Sequence, residues 1–172
     1  MRKNKHTLLY IGGLFALLLM ACNRQTVYNR YLHTPLNGWE RNDTLRYFIP
    51  TIQEGGYYSE DIGIRIDGSF PFMKLDLIIE QTKLNTQEKR MDTLQCAVID
   101  NHGHPIGNGI SKYQYTFKLT TLKLNKGDSL RIAIRHNMKR EMLPGISEVG
   151  VHLYKRQTKI EPDDVSYPSA RR

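Results

Sequence analysis

Apolar and polar residues alternate with period two along most of the chain. Leu45, Tyr47 and Ile49 alternate with Arg46 and Phe48. Ile62, Ile64 and Ile66 alternate with Gly63 and Arg65, and Leu75, Leu77 and Ile79 alternate with Asp76 and Ile78. The pattern returns at Tyr115, Phe117 and Leu119, at Leu130, Ile132 and Ile134, and at Val149, Val151 and Leu153. Successive side chains of a strand point to opposite faces, so each run predicts a strand with one buried face. A segment from Leu94 to Ile99 and a first strand near Val27 to Leu32 bring the total to about eight.

Turn formers separate these runs: Asn37-Gly38, Gly55-Gly56, Asp67-Gly68, Asn101-His102-Gly103, Gly107-Asn108-Gly109 and Lys126-Gly127-Asp128. A helical period is missing throughout. Only Asn137 to Leu143, before Pro144-Gly145, is compatible with a short helical turn. Strands that are apolar on one face and polar on the other pack as two antiparallel sheets. The expected fold is all-β, an antiparallel β-sandwich of about eight strands, jelly-roll-like. Alternation does not fix the strand order.

The two ends of the chain break the pattern. Arg2, Lys3 and Lys5 precede an uncharged apolar run from Leu8 to Ala21, which is followed by Cys22. That run is shorter than the ~20 apolar residues of a spanning helix and suits an export signal. Leu19-Met20-Ala21-Cys22 closes it in the manner of a bacterial lipoprotein signal, with acylation expected at Cys22. The expected organisation is a signal peptide over 1–21, a lipidated tether over 22–26, a β-sandwich over 27–156 and a disordered tail over 157–172. That tail holds Asp163, Asp164 and a terminal Arg171-Arg172.

The formal net charge is +8, and three of the cations lie in the signal. The remaining excess forms no long basic block, so nucleic acid is not an expected partner. With Cys22 acylated, Cys96 is the remaining cysteine and an intramolecular disulfide is not possible. Cys96 keeps step with Leu94 and Val98 and belongs on a buried strand face.

Candidate chemistry is sparse. His102 and His104 flank Gly103 and could share a metal if Asp100, His33, His136 or His152 converged on them; a solvated loop is the plainer reading. Glu60 and Asp61 adjoin, so their side chains diverge; they suit a loop or strand entry better than a catalytic pair. Ser59, Ser69, Ser111, Ser129 and Ser147 lack a nucleophile-elbow context. Gly107-Asn108-Gly109 has no helix after it to hold a phosphate. Trp39, Tyr57, Tyr58, Phe70 and Phe72 sit beside turns, where flat rings either stack on sugars or seal the core. The outward positions of Arg65, Arg131 and Arg135 could make a basic patch for an acidic partner; a solvated strand face needs no such partner.

Several segments together resemble the gliding motility lipoprotein GldH family of Bacteroidetes. They are Asn37-Gly38-Trp39-Glu40-Arg41-Asn42-Asp43, Phe70-Pro71-Phe72-Met73-Lys74-Leu75, the glycine-punctuated stretch from Asp100 to Ile110, and the run from Met138 through Leu143-Pro144-Gly145-Ile146 to Val149-Gly150-Val151. With the lipoprotein signal, the resemblance spans Val27 to Tyr154. It implies a non-enzymatic lipoprotein of the cell envelope, held to membrane lipid by Cys22. It also implies protein partners in a gliding and surface-protein secretion assembly, with no cofactor. The runner-up expectation is a carbohydrate-binding envelope lipoprotein using Trp39, Tyr57 and Tyr58.

Overall fold

In the computed structural model, which describes residues 26–156, every run of alternation becomes a strand. The expectations placed on residues 1–21, on Cys22 and on 157–172 lie outside the described residues. The strands are β1 (Thr26–His33), β2 (Trp39–Glu40), β3 (Leu45–Ile49), β4 (Gly56–Asp67), β5 (Lys74–Lys83) and β6 (Lys89–Ala97). They are followed by β7 (Asn108–Gly109), β8 (Lys112–Leu124), β9 (Leu130–His136), β10 (Met142–Leu143) and β11 (Ile146–Lys155).

Two antiparallel sheets face each other. One runs β1-β11-β4-β8-β7 and the other β3-β9-β5-β6, while β10 and β2 form a separate two-stranded ribbon. With the three two-residue strands set aside, the eight long strands fall into the orders 1-8-3-6 and 2-7-4-5. That interleaving is the jelly-roll arrangement, in which each sheet draws strands from both halves of the chain.

The apolar set from the alternation fills the space between the sheets. Ile62, Ile64, Leu75, Leu77, Ile79, Ile132, Ile134, Val149, Val151 and Leu153 are all fully buried. Two phenols tie the sheets through polar bonds in this core. Tyr47 on β3 donates to the Val149 carbonyl at 2.7 Å, and Tyr115 on β8 donates to the Val98 carbonyl at 2.7 Å. Burial raises both phenol pKa values, that of Tyr47 most, which keeps these donors protonated. Cys96 is buried as expected, and burial pushes its thiol up to about 12.

The valine-glycine strand has a packing reason. Val149 and Val151 point inward, so Gly150 faces outward, opposite Gly63 in the β11–β4 register. The Tyr31 ring lies across this pair; a Cβ on Gly150 would stand 2.7 Å from it. The Arg65 guanidinium then covers the exposed face of the ring, 4.2 Å from its centroid.

One local expectation fails. Asn137 to Leu143 makes no helical turn: residues 137–141 are irregular and Met142–Leu143 pairs with Trp39–Glu40. The carbonyls of Met138 and Lys139, which a helix would use internally, are taken by the Arg41 guanidinium.

Candidate interaction surfaces

The topology gives the sandwich two unlike ends. The loops 50–55, 84–88 and 125–129 gather where β1 begins and β11 finishes, at the tether end. The connections 34–44, 68–73, 98–111 and 137–145 gather at the opposite, distal end. Three of the stretches that carry the family resemblance meet there. Arg41 N–H donates to the Glu141 carbonyl at 2.8 Å, alongside the β2–β10 pairing. The Trp39 indole donates to the Asp43 carbonyl at 3.0 Å. His136 Nε2 lies 3.1 Å from the Trp39 carbonyl, its ring edge-on to the indole at 5.4 Å. Pro144-Gly145 forms a turn in which Gly145 has φ of 81°, and its carbonyl accepts from Asp67 N–H at 2.8 Å. The turn packs directly on Phe70. These motifs close the sandwich, while Leu36, Ile106 and Ile110 in the neighbouring loops stay exposed.

That closure settles the aromatic residues. Trp39, Tyr58 and Phe70 are buried in the core; Tyr57 is partly exposed. Tyr58 donates to the Glu54 carbonyl at the tether end, whereas Trp39 sits at the distal end. They make no common stacking platform, so the geometry expected of a sugar-binding face is not formed by these residues.

The histidine pair lies in a solvated loop. Asp100 Oδ1 accepts from the backbone N–H of His102 at 2.9 Å and of His104 at 2.8 Å, which holds its carboxyl below the usual range. The two imidazoles are 6.4 Å apart. His33 pairs with Glu148 at 3.2 Å, His136 is buried beside Trp39, and His152 lies 3.2 Å from the Thr26 hydroxyl. Among the described residues no three His, Cys, Asp or Glu side chains converge as a metal site. Gly107 packs under the Tyr115 ring, so the glycine-rich stretch serves packing. Ser69 and Ser147 hydrogen-bond to Asp67 and to the Arg65 carbonyl.

Glu60 departs from its expected place. It lies in the middle of β4, in step with Tyr58, Ile62 and Ile64, and points into the sandwich, fully buried. Among the described residues neither carboxyl oxygen has a hydrogen-bond partner. Burial pushes its pKa up to about 8; Asp92 adds to the rise and Arg90 opposes it. Across the gap, Arg90 on β6 holds Asp92 through Nε and Nη2 at 2.8 and 3.1 Å, and Gln81 Nε2 donates to Asp92 at 3.2 Å. A bulge in β8 at Leu119 interrupts the β4–β8 pairing beside Glu60. Glu60 and its neighbours form a polar island that runs from the apolar core to the half-exposed Arg90 at the β6 edge.

The three arginines grouped by sequence divide between opposite faces. Arg65 belongs to the outer face of the β1-β11-β4-β8-β7 sheet, where it is bonded to Glu148 and Gln114 and stacks on Tyr31. Arg131 and Arg135 lie on the outer face of the other sheet, where Arg46 joins them around a depression of about 330 Å³. Arg46 was within reach of the sequence reading: it alternates with Leu45 and Tyr47, so its side chain had to face outward.

A family model for the GldH lipoprotein matches residues 26–153. The chain belongs to the GldH lipoprotein family. Membership places it among lipid-anchored proteins of the cell envelope. One GldH relative, the gliding motility lipoprotein GldH of Flavobacterium johnsoniae, is 24% identical over 147 residues, covering 81% of this chain and 91% of its own length. Solved structures similar to this GldH chain include the Eiger TNF of S. frugiperda, at 12% identity and a TM-score of 0.36, covering 81% of this chain and 98% of that one. Another is a family GH115 4-O-methyl-α-glucuronidase, at 15% identity and a TM-score of 0.45, covering 80% of this chain and 18% of that one. At such scores neither likeness carries a functional inference.

Proposed function

We propose that this chain is a non-catalytic adaptor, held to a membrane by acylated Cys22, in an assembly that drives gliding motility and the linked secretion of surface proteins. The observation that carries this reading is the match to the GldH lipoprotein family across the sandwich, together with the name of the Flavobacterium relative. The fold supports it physically. Four residue steps, at most about 14 Å of extended chain, join Cys22 to Thr26 at the tether end. Two or more acyl chains give stable anchoring where one gives only marginal binding. The sheet faces and distal loops are then left free for a partner. Of the candidate catalytic groups, His102 and His104 are solvated and Glu60 is sealed in the core.

Metabolic labelling with radioactive palmitate tests the anchor, and complementation of a deletion strain tests the role. Wild-type protein is expected to incorporate label and to restore spreading and surface-protein secretion, while Cys22→Ser loses both. Labelling that survives Cys22→Ser overturns the anchor. A deletion strain that spreads and secretes normally overturns the adaptor role.

A further inference from the structure

We infer that the depression on the outer face of the β3-β9-β5-β6 sheet is a docking site for an acidic, extended segment of a protein partner, with a carboxylate seated over Ala133. This rests on the adaptor reading and supplies the chemistry of its partner.

The depression exists because a small residue sits among long ones. Ala133 is at the centre of β9, with Arg131 and Arg135 two positions away on the same face, about 13 Å apart along the strand. Its cross-strand neighbours are Arg46 on β3 and Glu80 on β5. Three guanidinium groups therefore border one floor residue. Arg131 and Arg135 are half-buried, and neither has a hydrogen bond or ion pair among the described residues. Among the described residues Arg46 reaches only the Thr44 carbonyl, at 3.4 Å, and the nearby Glu80 is paired with Lys89 at 3.8 Å. This contrasts with the other outer face, where Arg65 is fully engaged.

Unpaired guanidinium groups crowded around a hollow are complementary to carboxylates, which they bind as forked pairs. Two apolar side chains flank the arginines: Met91 lines the hollow on the β6 side and Phe48 lies beside Arg131 on β3, and they are 63% and 61% exposed. A segment alternating acidic and apolar side chains would place its carboxylates on the arginines and its apolar groups on those two side chains. A flat bilayer surface meets protruding groups and cannot follow the concave floor, so a protein segment is favoured over lipid headgroups.

The test uses the mature full chain carrying Cys22→Ser, isotopically labelled for NMR. The probe is an extended peptide alternating Glu with Val and Phe. Shifts are expected at Ala133, Arg131 and Arg135, with affinity falling at least tenfold in Arg131→Glu/Arg135→Glu and in Ala133→Phe, while thermal melts show both variants folded. Absence of shifts at millimolar peptide overturns the proposal, as do shifts on the Arg65 face or affinity unchanged in the variants. So does a response of the same residues to phosphatidylglycerol vesicles without one to the peptide, which would assign the face to lipid. A cellular arm separates this idea from the adaptor role. If the deletion abolishes motility or secretion yet Arg131→Glu/Arg135→Glu restores it fully, the docking site fails and the adaptor role stands. If the deletion has no such phenotype, the adaptor role itself fails.

Discussion

Arg41 donates to the carbonyl of Met138 through both Nε and Nη2, at 3.1 and 2.7 Å, although 97 residues separate them in sequence. This clamp joins the tryptophan turn to the methionine-led loop and fixes the geometry of the distal end. Arg41→Ala is expected to cost about 1–3 kcal/mol, since it strands carbonyls that a charged donor had satisfied. Trp39 is the sole tryptophan, so its fluorescence reports the change. The expected outcome is a lower denaturation midpoint with a red-shifted emission already in the native state.

Glu60 makes stability fall as pH rises. Its folded pKa, about 8, lies above the unfolded value of 4.5, so the native state retains a proton that the unfolded chain loses. The penalty is absent below pH 4.5, grows between 4.5 and 8, and is constant beyond. Glu60→Gln removes it. Urea titrations at pH 5, 6.5 and 8 are expected to show the variant gaining on wild type at each step, by a few kcal/mol at pH 8. Parallel profiles for the two proteins would refute this assignment.

His136 acts in the opposite direction. Its Nε2 faces the Trp39 carbonyl, and its Nδ1 lies 3.4 Å from the Met138 N–H. Those partners fix the neutral Nε2–H tautomer, because a proton on Nδ1 would point at a donor. Burial lowers its pKa below 6.5. Its contribution is therefore complete above pH 6.5 and is lost as pH falls through the folded value. Nitrogen-detected NMR is expected to show the Nε2–H form at pH 7 and a titration midpoint under 6.5.

Cys96 should be inert while the chain is folded. It is enclosed, and burial keeps its thiol protonated. Maleimide at pH 7.5 is expected to modify the native protein about a hundredfold more slowly than the unfolded chain. Equal rates would mean that the β6 edge opens readily.

The sequence made the strands legible because one face of each is almost wholly apolar. The polar island was missed for the same reason. Glu60 shares the even-numbered phase of Tyr58, Ile62, Ile64 and Ile66, so its inward direction was available, but a charge adjoining Asp61 suggests a strand entry. The β8 bulge also leaves a trace. Buried positions switch from Tyr115, in step with Phe117, to Leu122 and Leu124, a change from odd to even. The clamp on residues 137–141 had no local signal, because its donor, Arg41, comes from a distant turn. Likewise, separating Arg65 from Arg131 and Arg135 requires knowing which strands share a sheet, and alternation carries no such information.

In-cell photocrosslinking bears most directly on the adaptor role. A photoreactive residue is placed at Met91 on the arginine face, at Leu36 in the distal loops and at Tyr57 near the tether end, and captured proteins are identified by mass spectrometry. Repeated capture of a motility or secretion component from Met91 or Leu36, and not from Tyr57, is the expected result. Repeated recovery of no such component from any of the three positions would contradict it.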